Sequence, residues 1–478
     1  MKNPIMSSIL LTHGYFLCDD PKEQEIMKPY APLGILYISA YLEEHGYENT
    51  VFDSTFSSFE ELSAEVLRVA PRVLGIYTNL MTKLNVLRLI RYVKSTPELK
   101  RTKIVLGGPE VKNHAENFLK YGADVLVVGE GEETMLELVT FYSAENKDGI
   151  DEKKILSGIS GIAFLNSENK VQTSPARALL KEMDSLPLPN RKKIQLQNYF
   201  NAWKERHGAS AISVSTMRGC PYTCKWCSRA VYGQSYRRRS PAKVVAEMKE
   251  LQLQYTFDTI WFVDDVFSIS HKWLEEFRNE IVKQGVQVLY ECITRADRLN
   301  EEVIGLLKES GCFRVWIGAE SGSQKIIDAM DRRVTVEQVR GMIQMAKSKG
   351  LQTGTFIMVG YPGETEADIE ETIKHLKLSD PDLYTITVAY PIKGTPLYEE
   401  TESSFLHALP WESSTDRQID FQRTYSRRYY DYAIRRVYNE VAYFKERKSS
   451  KSAILSLTKF KLKSFLAKGG MLWERSFH

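Results

Sequence analysis

Cysteine is scarce: there are six in 478 residues, and three of them, Cys18, Cys292 and Cys312, are scattered. So small a number excludes a disulfide-built scaffold, and scattered thiols read as small hydrophobes packed in a reducing compartment. No run of 18 or more apolar residues occurs, which excludes an ordinary membrane-spanning helix. The first eleven residues have neither the basic start nor the apolar stretch of a secretory leader, so the expected location is cytoplasmic. Neither sign of charge dominates. With 64 Lys and Arg against 61 Asp and Glu the net charge is +3, too little for a broad nucleic-acid surface, and no nucleic-acid partner is expected. The length suffices for two or three domains with a large core.

The other three cysteines fall together in M-R-G-C-P-Y-T-C-K-W-C-S, residues 217–228, as Cys220, Cys224 and Cys227. Thiolates this close in a turn-rich stretch point to a metal site, since soft sulfur ligands suit iron–sulfur clusters or zinc. A closed zinc site or a fully ligated cluster takes four protein ligands, and only three are local. A distant His207 or Cys292 completing a zinc site is one reading. The other is a 4Fe-4S cluster with one iron left open for catalysis.

Organisation along the chain frames that stretch. From residue 1 to 143, β-branched runs at 9–11, 50–52, 73–77, 103–106 and 125–128 alternate with helical patterns, which predicts a parallel, doubly wound α/β sheet. Such sheets bind ligands beyond the carboxyl ends of their strands. The loops expected there are P-L-G at 32–34, Thr78 with Asn79, the run Gly107, Gly108 and Pro109, and the run Gly129, Glu130 and Gly131. Residues 144–204 read as a linker with some β structure, a hairpin around 166–170, and a solvated charge run at 191–193.

Residues 205–400 hold six further strand candidates, at 211–215, 259–263, 287–292, 313–317, 355–359 and 384–389, in βα alternation. One intervening helix opens with Ser240 as N-cap and Pro241 at its first position. Six such units predict a partial (β/α)6 barrel of the TIM type, whose site gathers at the C-terminal strand ends. Polar residues are placed at those ends: Asp264 and Asp265 after the second strand, Arg295 and Asp297 after the third, Glu320 and Ser321 after the fourth. Residues 401–478 read as a helical C-terminal region. Within it, residues 424–438 interleave tyrosines and arginines, and residues 445–468 are lysine-rich with Ile454, Leu455, Leu457, Phe460, Leu462, Phe465 and Leu466 between the charges. The second stretch is expected to cover an apolar protein face in preference to a membrane surface.

The C-x3-C-x2-C spacing, with Trp226 just before the last cysteine, resembles the radical S-adenosylmethionine superfamily. Taken with the glycine loops upstream, the chain is similar to the cobalamin-binding-domain branch of that superfamily, the group of porphyrin-ester cyclases and cobalamin-dependent methylases. The resemblance implies a Rossmann-like cobalamin-binding domain before a radical barrel, with Cys220, Cys224 and Cys227 holding a 4Fe-4S cluster. It also implies reductive cleavage of S-adenosylmethionine to methionine and a 5′-deoxyadenosyl radical. D-D-x-F, R-x-D, G-x-E-S-G and G-Y-P-G-E-T resemble family motifs, which implies S-adenosylmethionine contacts at Tyr222, Trp226, Asp264, Asp265, Arg295, Glu320, Ser321, Gly360 and Pro362. Arg295 would take the cofactor carboxylate and Glu320 its ribose or amino group. Cobalamin contacts are implied at Thr78, Asn79, Gly107, Gly108, Pro109, Gly129, Glu130 and Gly131. One departure stands out: the D-x-H-x-x-G motif that supplies a histidine to cobalt is absent, and His13 and His114 lack its context.

The expected function is cobalamin-dependent methylation of an unactivated carbon in a small-molecule substrate, served by an external one-electron reductant of the flavodoxin or ferredoxin type. A radical cyclase or rearrangement enzyme is the alternative within the family, and a non-catalytic cobalamin or redox sensor the alternative of another class. Methylthiolation of transfer RNA is disfavoured because the N-terminal region has no second cysteine triad.

Overall fold

Short apolar runs closed by glycine or polar turns become the strands of two sheets. The computed structural model of the protein describes residues 9–144, 151–448 and 454–476. The reading of the extreme N-terminus as no secretory leader lies largely outside them, as do residues 145–150 near the start of the expected linker. The chain divides into two compact units. One is Met1–Pro221 with Ser228–Thr259 and Leu409–Thr415; the other is Tyr222–Cys227 with Ile260–Ala408 and Asp416–His478.

The first sheet holds β1 (Ile9–His13), β2 (Thr50–Phe52), β3 (Val73–Tyr77), β4 (Lys103–Gly107), β5 (Val125–Val127), β6 (Ile162–Leu165) and β7 (Val171–Thr173), ordered β2-β1-β3-β4-β5-β6-β7. The first five pair in parallel, as their two-sided burial predicts. The expected hairpin is β6–β7; it pairs antiparallel with β5 and so extends this sheet. Strand order reverses between β1 and β3, and ligands bind outside the carboxyl ends of strands at such a switch point. Thr78 follows β3 there.

Below the sheet, Leu62, Val66, Leu74, Val86, Ile90, Ile104, Leu106 and Phe118 build a closed apolar core. The helix Phe59–Val69 starts sharply because Ser58 and Glu61 satisfy each other's backbone N–H groups in a capping box. Ser240 caps the helix Pro241–Gln254 as its sequence suggests, accepting from the Lys243 N–H with Pro241 at the first position.

A two-residue antiparallel ribbon of β9 (Met217–Arg218) and β10 (Arg237–Arg238), which hydropathy patterns do not reveal, follows β8 (Ala211–Val214). The second large sheet has the order β15-β14-β13-β12-β11-β8, with β11 (Thr259–Phe262), β12 (Leu289–Thr294), β13 (Cys312–Glu320), β14 (Gln352–Val359) and β15 (Leu383–Val388). The pairs β12/β13, β13/β14 and β14/β15 are parallel, and β8 and β15 are its two edges. The expected α/β architecture is therefore present: a doubly wound sheet, then six strands of an open barrel.

Two readings need correction. Arg191, expected in a solvated charge run, is buried; its Nη1 donates to Glu247 Oε1 at 2.7 Å and its Nη2 to the Ser213 carbonyl at 2.8 Å. An anion on a helix in the same unit needs it there: Glu247 is fully enclosed, and Arg239 also binds it. The C-terminal region folds as two helices, Arg427–Lys448 and Ile454–Arg475. In the second helix Ser464, Ala467 and Met471 are buried and Leu457 and Phe460 half-buried, but Ile454, Leu455, Leu462, Phe465 and Leu466 stay exposed. The apolar stripe expected to cover a protein face does so with one edge only.

Burial raises the Glu247 carboxyl, and the paired guanidiniums of Arg191 and Arg239 more than offset that, so the group lies below the usual carboxylate range. Replacing it, Glu247→Ala, leaves two buried guanidiniums without their anion. The expected loss is about 3–5 kcal/mol, the range for breaking a buried ion pair, read as a lowered urea midpoint by circular dichroism. An unchanged midpoint would show the network to be dispensable.

Candidate functional site

The cysteine stretch leaves β9, loops, and returns in β10. Cys224 is buried, Cys220 and Cys227 are partly buried, and none is disulfide-bonded. Cys220 closes a segment of the first unit; Cys224 and Cys227 belong to the second. In the second unit the loop is stitched down by backbone: the Lys225 N–H donates to the Met330 carbonyl at 3.1 Å and the Leu397 N–H to the Lys225 carbonyl at 3.0 Å. The Thr223 hydroxyl binds Asp331, and Lys225 pairs with Glu400 at 2.6 Å. Trp226, implied as a cofactor contact, packs beside the apolar cluster of Ile326, Met330, Tyr361, Ala389 and Leu397.

Around Cys224 the electrostatics are unusual. Arg295 is only 2% exposed, and its Nη1 donates to Cys224 Sγ at 3.6 Å. Arg332, also buried, donates from Nη1 to the same sulfur at 3.7 Å. Arg295 spends its other donors on Asp297, at 2.8 and 3.3 Å, and on the Arg332 carbonyl at 2.6 Å, while its guanidinium lies 3.8 Å over the Tyr222 ring. Tyr222 in turn binds Arg298 through its hydroxyl. Two guanidiniums thus converge on one sulfur and place concentrated positive charge beside it.

Glu320 completes this cluster. It ends β13 at a bulge, where the pairing register with β14 shifts between Gly318 and Glu320, and its φ is +64°, a left-handed conformation costly for a residue with a Cβ. Its carboxylate is 9% exposed, and Arg332 Nη2 stands 3.6 Å from Oε1, beyond hydrogen-bond length. Burial raises the carboxyl against the pull of Arg332 and Arg295. Ser321, by contrast, is structural: its hydroxyl accepts the Ser323 N–H at 3.1 Å and meets Thr372 at 3.3 Å. Next to it, a Cβ on Gly322 would overlap the Glu371 carbonyl, so only glycine lets the loop lie on the helix Glu366–Ser379.

The other barrel-end candidates divide. Asp264 is buried and Asp265 exposed; crowding by surrounding protein and the charge of Asp264 raise the Asp265 carboxyl. Pro362 is half-buried. Gly360 is held on both sides: its N–H donates to Glu364 Oε2 at 2.5 Å, and its carbonyl accepts from Arg423 Nε at 3.1 Å. Arg423 also donates to the Ala389 carbonyl at 2.7 Å, tying the C-terminal region to the ends of β14 and β15. The tyrosine-rich helix packs inward there, with Tyr429 and Tyr430 buried and Tyr430 Oη donating to the Glu364 carbonyl at 3.3 Å.

The loops of the first sheet serve several ends. Gly108, at φ +107°, lies so close to Thr78 that a Cβ would overlap the Thr78 carbonyl oxygen. Thr78 is wholly buried, and its Oγ1 has no hydrogen-bond partner. Asn79 accepts the Met81 and Thr82 N–H groups, a turn before the helix Lys83–Ser95, and Pro109 opens the helix Pro109–Asn113. Gly107 ends β4 and Gly131 precedes the helix Glu132–Ser143. Gly129 is at φ +100°, with Val231 O in ordinary contact distance, 3.9 Å, of a Cβ built there. Glu130, implied as a cobalamin contact, is taken up by protein: it binds Arg218 at 2.9 Å, Arg237 at 2.7 Å and the Leu180 N–H at 2.8 Å. Glu132 binds Arg218 as well. His13 is buried and satisfied, with Nε2 3.0 Å from Asp53 and Nδ1 accepting the Tyr15 N–H at 3.1 Å.

These residues fit the implied groups in part. The three thiols have the donor chemistry of an iron–sulfur cluster, and the guanidinium pair suits its negative charge. Among the described residues no three thiol, imidazole or carboxylate groups are gathered to hold a single metal ion; a cubane spreads its thiolates over separate corners and does not need that convergence. The zinc reading loses its fourth ligand, because His207 lies 3.0 Å from the Ile26 carbonyl and Cys292 is buried in β12. For cobalamin, the orphaned Thr78 hydroxyl lies at the end of β3, the kind of strand end where such sheets bind ligands. A histidine ligand to cobalt is not offered by His13.

Sequence reasoning missed Arg332, Glu364 and Arg423. Arg332 is the middle residue of a D-R-R turn in which Asp331 and Arg333 both have positive φ, a feature with no sequence signature. Glu364 lay within the quoted G-Y-P-G-E-T. Burial lifts its carboxyl to about 8, the Gly360 N–H opposes that, and Asp368 adds to it. A raised acid favours the folded state fully below its unfolded value and loses that contribution as pH rises through 8. Melting temperature should therefore fall between about pH 5 and 8 in the parent and stay flatter in Glu364→Gln, whose neutral amide accepts the same N–H. Parallel profiles would contradict the assignment.

Comparison with known proteins agrees with this division. The B12 binding domain matches residues 25–139 and the Radical SAM superfamily residues 214–376. The chain is 29% identical, over 80% of its length and 81% of the relative's, to an uncharacterized methyltransferase of Pyrococcus horikoshii. It is 26% identical, over 79% of its length and 67% of the relative's, to an anaerobic magnesium-protoporphyrin IX monomethyl ester cyclase of Rubrivivax gelatinosus. Its fold is similar to that of the cobalamin-dependent S-adenosylmethionine radical enzyme OxsB with aqua-cobalamin bound, with a TM-score of 0.71, 16% identity, and coverage of 98% of this chain and 76% of that one. The chain therefore carries a B12 binding domain followed by a domain of the Radical SAM superfamily.

Proposed function

We propose that the protein is a cobalamin-dependent radical S-adenosylmethionine methylase that acts on an unactivated carbon of a small molecule. The observation that carries the reading is the cluster in the second unit, where two buried guanidiniums meet Cys224 Sγ and Glu320 stands beside them in a strained conformation. Cys220, Cys224 and Cys227 hold the 4Fe-4S cluster, and the loops after β3, β4 and β5 hold cobalamin. Bound there, the cluster supplies the electron that cleaves S-adenosylmethionine, and cobalamin supplies a carrier for the methyl group.

Within that scheme Arg295 acts at Cys224. Its donors are occupied by Asp297, Cys224 and the Arg332 carbonyl, so it positions the Cys224 sulfur. Glu320 is the group whose carboxylate is not held by a short bond to Arg332, and it takes the ammonium or a ribose hydroxyl of S-adenosylmethionine. Glu364 and Arg423 keep the Gly360 backbone in place beside it in the chain's fifth-strand motif. The 26% identity to a porphyrin-ester cyclase supports radical cyclisation as the second reading, and product analysis separates them: methylation yields S-adenosylhomocysteine together with 5′-deoxyadenosine, cyclisation only the latter.

Alanine at Cys220, Cys224 or Cys227 should remove iron and end 5′-deoxyadenosine formation. Glu320→Gln should keep iron and weaken S-adenosylmethionine binding by about 1–3 kcal/mol, the worth of a charge-assisted hydrogen bond, measured by anaerobic equilibrium dialysis. Full iron in the cysteine variants would refute the ligand assignment, and unchanged affinity in Glu320→Gln would refute the cofactor contact.

A further inference from the structure

The helix Ile454–Arg475 buries one face, and the opposite face has a pattern that the methylase reading leaves unused. Ser464, Ala467 and Met471 pack inward; Glu440 accepts from the Ser464 hydroxyl at 2.7 Å, and Gly470 gives Tyr432 room against the helix backbone. Outward lie Leu455 at 82% exposure, Leu462, Phe465 at 73%, Leu466, Leu472 and Trp473 at 65%. At about 100° per residue, Leu455, Leu462, Leu466 and Trp473 fall within roughly 20° of one line, with Phe465 and Leu472 on its flank. Exposed lysines edge the stripe on both sides: Lys459 and Lys463 on one shoulder, Lys461 and Lys468 on the other. The helix carries five basic residues and one acid, Glu474, whose carboxylate is turned to Ser426 and Arg428 of the neighbouring helix.

We propose that this face is a membrane-surface anchor that lies in the interface of an anionic bilayer. An apolar stripe with lysines along both borders places side chains into the acyl boundary while the ammonium groups reach up to headgroup phosphates. Among the described residues no helix is long and apolar enough to cross a membrane, so the helix lies on the surface. Charge decides between occupants. A second copy of this chain docked on the same stripe would bring two sets of lysines together, whereas an anionic lipid surface complements them. The surface is independent of the chemistry assigned above, since no residue of the radical site lies on it.

The full-length protein, purified anaerobically, is sedimented with vesicles of phosphatidylcholine alone and of phosphatidylcholine mixed with about one-third phosphatidylglycerol, at low and high salt. Binding is expected to the anionic vesicles, at least tenfold weaker to the neutral ones, and weaker again as salt rises. Leu462→Glu with Leu466→Glu should reduce it at least tenfold without changing helicity, and Lys459→Glu with Lys463→Glu should abolish the preference for anionic lipid. The fluorescence difference between the parent and Trp473→Phe should shift to the blue on vesicle addition. Sedimentation with neither vesicle, or binding that survives the leucine variants, overturns the proposal. A concentration-dependent dimer dispersed by those variants, with no vesicle binding, gives the face to a second copy instead.

Discussion

Two guanidiniums buried side by side require anions, and the architecture of the second unit follows from supplying them. Arg295 and Arg332 are linked, since one donates to the other's backbone carbonyl, so neither can be displaced alone. The carboxylate of Asp297 answers the first and that of Glu320 only loosely answers the second. What remains is met by the sulfur of Cys224, to which both donate. A buried cation left unpaired costs several kcal/mol, so the site holds positive charge that an anionic group bound at that sulfur would offset. An anionic iron–sulfur cluster ligated there would supply that charge.

Backbone ties and packing hold the loop in register with this charge cluster. Lys225 is bonded through both its N–H and its carbonyl, and Trp226 wedges against an apolar patch that includes Tyr361 of the glycine-rich turn after β14. In the first unit, the ribbon of β9 and β10 is fixed by Arg218 and Arg237, which share Glu130 from the loop after β5. Burial opposes ionisation of Glu130, and the two arginines and the Leu180 N–H overcome it. The loop implied to touch cobalamin is thereby the same loop that holds the β9–β10 ribbon.

Much of this was legible in the sequence because it depends on local pattern. The five parallel strands before residue 130 and the six after 210 are short apolar runs between helices, and their ends were read to within a few residues. The cysteine spacing and the acidic strand ends named the chemistry. What the sequence hid is long-range pairing. Arg191 looks like one of three surface charges until Glu247, 56 positions away, needs it. Glu130 sits in a loop that reads as ligand-facing, and only the fold brings Arg218 and Arg237 to it. Arg332 gains its role from a turn of positive-φ residues that no periodicity announces. The stripe on the last helix was visible as a pattern, but its exposure depends on which of its faces meets the neighbouring helix.

The central claim is that one chain carries both a cluster on Cys220, Cys224 and Cys227 and a cobalamin on the first sheet. Metal analysis of anaerobically reconstituted protein, after removal of unbound cofactors, tests it most directly. About four iron atoms and about one cobalt per chain are predicted, with no zinc. Iron without cobalt would leave a radical enzyme whose N-terminal domain has lost its ligand, and zinc in place of iron would contradict the account at its foundation.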